Sequence, residues 1–427
     1  MTTASQLIEQ GHGTVLDAYR AVRQASLDLC RGLETEDYGL QAMPDVSPPK
    51  WHLAHTTWFF ETFLLARFIK NYQVFHPAYD HLFNSYYLTH GQPFLRPQRG
   101  FLSRPTVREI LTYREAVDAA MQKLLLSLDA QHYRECEFLL MLGLNHEQQH
   151  QELIYTDIKH IFSHNPLKPA YLEARPSTVK NTTVQSPMRM QSFAGGLIEV
   201  GYNGEGFAYD NEGPRHKVWL EDFALATRLL SNGEYLEFIN DDGYRRPEFW
   251  LSEGWAAKQQ QNWSAPLYWE RLDDHWWQFG FHGMQPLDPS APVCHVSLFE
   301  ADACARWAGK RLATEFEWEH VASQHAVTGN LREQQALQTR AASTDEEMTQ
   351  LYGDVWEWTS SAYSAYPGYQ PAAGSIGEYN GKFMNSQMVL RGGSFATPKN
   401  HIRSTYRNFF YPADRWQFSG IRFAEDL

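Results

Sequence analysis

The chain is poor in cysteine and arranges none of it in pairs. Cys30, Cys136, Cys294 and Cys304 form no C-x-x-C unit in 427 residues, which excludes a disulfide-stapled small scaffold and suits a reducing compartment. The opening "MTTASQLIEQGHG" has no basic stretch followed by an apolar one, so no secretory signal is expected. Long apolar runs are also missing: "FLLMLGL" falls far short of the roughly 20 residues that cross a bilayer. Positive charge is in deficit, at a formal net charge of −13, whereas nucleic-acid binding relies on a basic surface. No flavin, nicotinamide or P-loop signature occurs, and no fixed-period repeat. The expectation is a cytoplasmic protein with small-molecule partners, no nucleic acid and no membrane.

What is present divides near residue 190. Only 7 of the 28 glycines and 2 of the 14 tryptophans precede it, so the first part is free of helix breakers and the second is turn-rich. A chain this long exceeds one ordinary core, and the change in texture predicts two different folds. In the first, apolar residues at three- and four-residue spacing predict amphipathic helices over 14–33, 48–70, 106–129 and 133–162, and four such helices suggest a bundle. Pro48 and Pro49 mark the start of the second helix, where a first turn needs no backbone donor. The stretch 166–190 is rich in Pro, Ser and Thr and reads as a linker; its Asn181-Thr182-Thr183 fits a glycosylation sequon by chance in a cytoplasmic chain. Beyond it, short strand-like pieces ("GGLIEVGY", "HKVWLEDFALA", "FMNSQMVLRGGSF") are interrupted by one helix, "SLFEADACARWAGKRL", ending at Gly309. The class is α+β, multidomain.

The chemistry-bearing stretch is "LGLNHEQQHQEL". His146 and His150 lie four apart, one turn on one helix face, which lets two imidazoles reach a single ion. Leu139, Leu142 and Leu153 continue that face, so the pair points inward. The letters also satisfy H-E-x-x-H, in which Glu147 would serve a zinc peptidase as base. No H-x-x-G-x-x-H continuation follows, and the acidic candidates downstream are Asp157 and Glu173. A better third ligand lies upstream in "PPKWHLAHTTWFFETF". His55 shares a face with Trp51, Trp58 and Thr62 while His52 falls on a neighbouring stripe, and periodicity alone does not choose between them. Three neutral imidazoles would leave about half of an octahedral ion open for substrate and dioxygen, which suits Fe(II); zinc with a water in its fourth position is the alternative.

These residues resemble a known family. "LAH" after a proline-started helix, paired with "HEQQHQEL", is similar to the iron site of the ergothioneine-biosynthesis sulfoxide synthases, whose first domain is a DinB-like four-helix bundle. In the second half, "RLATEFEWEHVA", "GDVWEWTSS", "RGGSF" and "YRNFFYPADRWQFSGIRFA" resemble, in order, the motifs of formylglycine-generating-enzyme or sulfatase-modifying domains, a C-type-lectin-like fold. The resemblance implies domains at 1–165 and 191–427 joined by 166–190. It implies Fe(II) on His55, His146 and His150, choosing His55 over His52, and a hercynine-binding role for Gln149.

In "FNSYYLTHGQPFLRPQRG", Tyr86, Tyr87, Arg96 and Arg99 resemble the active-site loop of the branch that uses free cysteine. A tyrosine can give a proton to reduced oxygen, and arginines can clamp a carboxylate; which tyrosine gives the proton stays open. Asn408 matches a substrate-binding asparagine. Phe409 and Phe410 stand where the γ-glutamylcysteine branch has Trp then Asp, which favours cysteine, and their rings could also face a quaternary ammonium or pack as core. The cysteine pair of the formylglycine-generating enzymes has no counterpart between 352 and 427. "GDVWEWT" is similar to a calcium loop in relatives of that fold. The implied reaction couples cysteine sulfur to the imidazole of hercynine and oxidises it to a sulfoxide. Two electrons leave in the C–S bond and two in the sulfoxide, matching the four that one O2 takes up, so no reductant is needed. A selenium donor in place of cysteine, or a zinc hydrolase, are the alternative readings.

Overall fold

The computed structural model describes residues 15–128, 130–173, 187–204, 206–342 and 348–427. The sequon at 181–183 and most of the presumed linker lie outside them. The chain forms two compact units. The first holds the described residues up to Asn165 together with Gly204–Tyr209 and Pro371–Tyr379; the second holds the rest. A division into uninterrupted segments therefore misses two stretches, drawn from later in the chain, that cluster with the helices. Residues 166–173, at the head of the stretch read as a linker, pack within the second unit: Leu172 N–H donates to Phe281 O at 2.9 Å and Lys168 pairs with Glu270.

In the first unit the four long helices are α1 (Val15–Leu29), α2 (Pro49–Phe60), α4 (Val107–Ser127) and α5 (Ala130–Ser163), with a short α3 (Tyr79–Phe83). α1 buries Ala18, Tyr19, Val22, Arg23, Ser26 and Leu29, the three- and four-residue spacing of a single stripe. α2 starts on Pro49, as expected, and every one of its residues is buried, so it is the central element. A single helix predicted through 70 gives way at Glu61–Leu65 to a π-helical turn. Buried Glu61 accounts for the anchoring there, accepting from Tyr113 Oη (2.6 Å), Tyr72 Oη (3.0 Å) and Phe75 N–H (2.8 Å). π-turns of this kind concentrate near functional sites. α4 opens with a capping box between Thr106 and Glu109. α5 approaches α2 closely at Gly143, where an added Cβ would stand 2.7 Å from the Phe60 ring. No helix of the described residues is long and apolar enough to cross a membrane.

The second unit is mixed. One four-stranded sheet runs Met190–Phe193, Phe223–Ala226, Phe423–Asp426, Arg311–Leu312, and another runs Asn408–Phe410, Met388–Arg391, Trp356–Ala362, Ser419–Gly420. A hairpin (Gly196–Val200 with His216–Leu220), a three-stranded meander (269–286) and a short parallel pair (Gly329–Asn330 with Tyr352–Gly353) accompany them. The expectation of one helix is corrected. Leu298–Trp307 is present and is followed by Gly309 at φ +67, but Asn232–Asn240, Ser252–Gln260 and Glu315–Ala322 are helices too. They are eight or nine residues long, too short for periodicity to stand out. Capping boxes do mark two of them, Ser231 with Glu234 and Thr314 with Glu317.

Candidate metal centre

α2 and α5 bring His55, His146 and His150 together, each offering a ring nitrogen, with all three atoms within 4.8 Å of one another. Among the described residues this is the one group of three metal-binding side chains. His55 Nε2 and His146 Nε2 are 3.1 Å apart. Two nitrogens about 2.1 Å from one ion at right angles would be roughly 3.0 Å apart, so that pair already has the spacing of adjacent ligands. Trp51 stacks on His55 (4.7 Å between centroids, 10°) and Trp58 lies along it (5.7 Å, 18°), while Phe59 meets His146 at 4.8 Å. The indoles are themselves held, Trp51 by Leu82 O and Trp58 by Asp80. Burial depresses all three imidazoles, His146 to about 3, with neighbouring histidines adding to the effect. They are neutral near pH 7 and have lone pairs to give. His146 Nδ1 is buried with no hydrogen-bond partner. A cluster of buried neutral imidazoles whose ring nitrogens converge on one another fits a divalent cation.

Glu147 faces the other way. Its carboxylate accepts from Arg23 Nη1 (2.9 Å), Ser26 Oγ (2.6 Å) and Arg114 Nη2. Burial alone would raise its pKa; Arg114 and Arg23 outweigh that and hold it at about 2. A general base needs a pKa near the working pH and reach to the reacting proton. Glu147 has neither, and the peptidase reading loses its base.

Tyr86 and Tyr87 follow α3 on a turn closed by Asn84, which accepts from Tyr87 N–H and donates to Tyr87 O. Their rings are 4.6 Å apart. Tyr87 is wholly buried against Trp58 and Phe63, its hydroxyl makes no well-formed hydrogen bond, and burial drives its pKa far up, with Tyr86 adding to the shift. It is a proton holder, not a base. Arg99 is buried under Trp51, Cζ 3.4 Å from the ring centroid, donating only to Ser47 Oγ (2.9 Å) and Ser85 Oγ (3.2 Å). Among the described residues no carboxylate lies within salt-bridge distance, and Nε is unsatisfied. Burial, then Arg96, depresses the guanidinium, with Asp157 opposing. Arginine keeps its proton in proteins, so the shift measures the cost of burying a cation without an acid. Arg96 is exposed and donates to Asp45 O.

Gln149 is half-buried, and its Oε1 accepts from Tyr379 Oη. Tyr379 also lies 5.6 Å from the His146 ring, 6.2 Å from Tyr86, and stacks on Tyr209 at 5.5 Å. Glu378 beside it accepts from Leu88 N–H (3.1 Å) and Thr89 N–H (2.9 Å), securing the tyrosine turn. Sequence reasoning missed Tyr379 and Glu378. They end a single short helical turn, Ser375–Glu378, that has no periodicity to read, and nothing local ties them to a helix some 230 positions earlier.

Asn408, Phe409 and Phe410 belong to the second unit. They form an edge strand paired with Met388–Leu390. Phe409 stacks on Tyr363 (4.0 Å, 11°), so packing accounts for much of that ring, and Phe410 meets Trp416 edge-on. Asn408 Oδ1 accepts from Phe409 N–H. In "GDVWEWT", Asp354 accepts from Asn330 Nδ2 and Arg340 N–H, and Glu357 is paired with Arg422. Both acids already have protein donors.

A model of the sulfatase-modifying factor enzyme 1-like domain matches residues 175–348 and 341–427, and one of the DinB superfamily matches 18–154. The chain is 30% identical to a hercynine oxygenase of Mycolicibacterium smegmatis over 451 residues, covering 97% of this chain and 99% of that protein. It is also 30% identical to a hercynine oxygenase of Mycobacterium tuberculosis, covering 90% and 92%. Ergothioneine biosynthesis protein 1 of Schizosaccharomyces pombe is 28% identical over 52% of this chain and 28% of its own length.

Proposed function

Because this chain belongs to the hercynine oxygenase family, we propose that it couples the sulfur of cysteine to the imidazole of hercynine and oxidises that sulfur to the sulfoxide with one O2. The observation that carries the reading is the convergence of three buried, neutral imidazoles within 4.8 Å, close to an arginine left without an acid. His55, His146 and His150 would hold Fe(II), which when bound supplies the one-electron chemistry that dioxygen requires. Atoms and electrons close: C–H and S–H are lost, C–S and S=O form, and the second oxygen atom leaves as water.

The chain's own groups then take these roles. Arg99 clamps a substrate carboxylate, which supplies its missing counter-charge, with Arg96 at the rim. Gln149, steadied by Tyr379, orients hercynine. Tyr87 donates a hydrogen bond or proton to reduced oxygen from its buried hydroxyl, and Tyr86 packs beside it. Trp51, Trp58 and Phe59 keep bulk water off the histidines. Free cysteine as donor rests on Phe409 and Phe410, where the γ-glutamylcysteine branch carries Trp and Asp, and Asn408 is the residue proposed to meet substrate there. On the same reading the functional domains are 1–165 and 191–427, with 204–209 and 371–379 clustering with the first and 166–173 with the second.

The test loads the protein with Fe(II) without air, then adds hercynine, oxygen and either cysteine, γ-glutamylcysteine or a selenosugar. Mass detection should find the coupled sulfoxide with cysteine. Product from γ-glutamylcysteine or the selenosugar alone would reassign the donor, and no product from any would remove the reading.

A further inference from the structure

His52 lies outside the trio yet touches it. Its Nδ1 is 2.8 Å from His150 Nδ1, and its Nε2 is 3.0 Å from Asp157 Oδ2. Both residues are about 3% exposed. The same carboxylate oxygen receives Ser47 N–H at 2.7 Å, and Thr156 Oγ1 donates to the other oxygen at 3.2 Å. A backbone amide can only donate, so Oδ2 is an acceptor, and the hydrogen between Asp157 and His52 sits on His52 Nε2. In a neutral His52 the Nδ1 is then a lone pair. It faces His150 Nδ1, which must therefore carry the hydrogen. What remains on His150 is Nε2, bare and free to bind a cation.

We propose that Asp157 and His52 form a positioning relay that fixes the tautomer and ring orientation of His150 for metal binding. The inference rests on the three-histidine reading of the site. His55 is fixed by a shorter version of the same device: its Nδ1 lies 2.5 Å from Phe83 O, which can only accept, so its Nε2 is left bare. His146 has no such partner, its Nδ1 being orphaned. Two ligands are thus preset by the protein and the third is set by the ion. Outer partners of this kind typically change metal affinity by about 10–100-fold. Spacing serves the relay: His52 precedes His55 by three residues on α2, and Asp157 follows His150 by seven on α5, two turns along the same face.

The direct test is the ring tautomer in the full-length, metal-free protein labelled with ¹⁵N-histidine, read by long-range proton–nitrogen correlation and assigned with single-histidine variants. His52 should be the Nε2–H form, and His150 and His55 the Nδ1–H form; His150 as Nε2–H would overturn the proposal. The second readout is affinity for Fe(II), by anaerobic chelator competition, and for Co(II), by its visible spectrum. His52→Gln can accept from His150 and donate to Asp157, and should bind within about threefold of the parent. His52→Leu should bind roughly 10–100-fold more weakly and shift the Co(II) spectrum. If His52→Leu binds like the parent, or His52→Gln loses as much as His52→Leu, the relay is wrong. His55→Ala separates the two claims. Undiminished metal binding in that variant would sink the three-histidine site itself, whereas loss there with parent-like His52→Leu would sink the relay alone.

Discussion

His146 and Glu147 are chain neighbours, yet they enter opposite kinds of buried cluster. Glu147 is saturated: Arg23, Arg114 and Ser26 occupy both its oxygens, and α1, α4 and α5 are tied together through it. His146 stands among neutral imidazoles with an orphaned nitrogen, close to Arg99, which among the described residues has no carboxylate within salt-bridge distance. One residue of rotation on α5, about 100°, separates the two. A buried polar cluster whose valences are all met by the protein is architecture. One that leaves donors and a cation unmet is shaped for something else to complete it.

Variants can break this contrast from either side. The largest effect is expected for His55→Ala or His150→Ala, which should abolish stoichiometric iron and turnover together, well beyond the about 10–100-fold typical of an outer partner; elemental analysis of the purified protein checks it. Glu147→Gln should do the reverse. It leaves buried Arg114 without its carboxylate and Arg23 with Asp118 alone, and denaturant titration should show a loss of about 3–5 kcal/mol, while the folded fraction keeps its metal.

The same carboxylate gives the contrast an acid limb. Glu147 titrates at about 2 in the folded chain against 4.5 for a free side chain, so its contribution is complete above about pH 4.5 and is lost as pH falls from there toward 2. That limb amounts to about 3 kcal/mol and should be missing from the stability–pH curve of Glu147→Gln. Arg99→Gln should raise KM for cysteine by about 10–100-fold, the value of a charge-assisted hydrogen bond, with a smaller change in kcat. The smallest effect on stability is expected for Tyr87→Phe. Its hydroxyl makes no well-formed hydrogen bond, so the unfolding free energy should move by no more than about 0.5 kcal/mol while turnover drops.

Much of the site can be read from the chain, because its main parts are local. The four-residue spacing of His146 and His150, the apolar face beside them and the proline start of α2 are all short-range facts. His55 needed the family resemblance, since helical stripes do not say which of two histidines faces a partner. In the fold they face different things: His55 meets His146, and His52 meets His150 and Asp157. Asp157, weighed as a ligand, holds a histidine instead. The fate of Glu147 could not be read at all, because Arg23 and Arg114 come from two other helices. Tyr379 was hidden for the same reason at greater distance. In the second half, glycine- and tryptophan-rich texture announced the class of fold but obscured its short helices, two of which carry capping boxes that could have marked them.

The central claim is that three imidazoles share one iron ion. X-ray absorption at the iron edge of the anaerobically loaded protein tests it most directly. The account predicts three imidazole ligands, with the rest of the first shell filled by light, exchangeable oxygen donors. A shell with fewer than three imidazoles, or a protein that refuses iron while taking up zinc one to one, would contradict it.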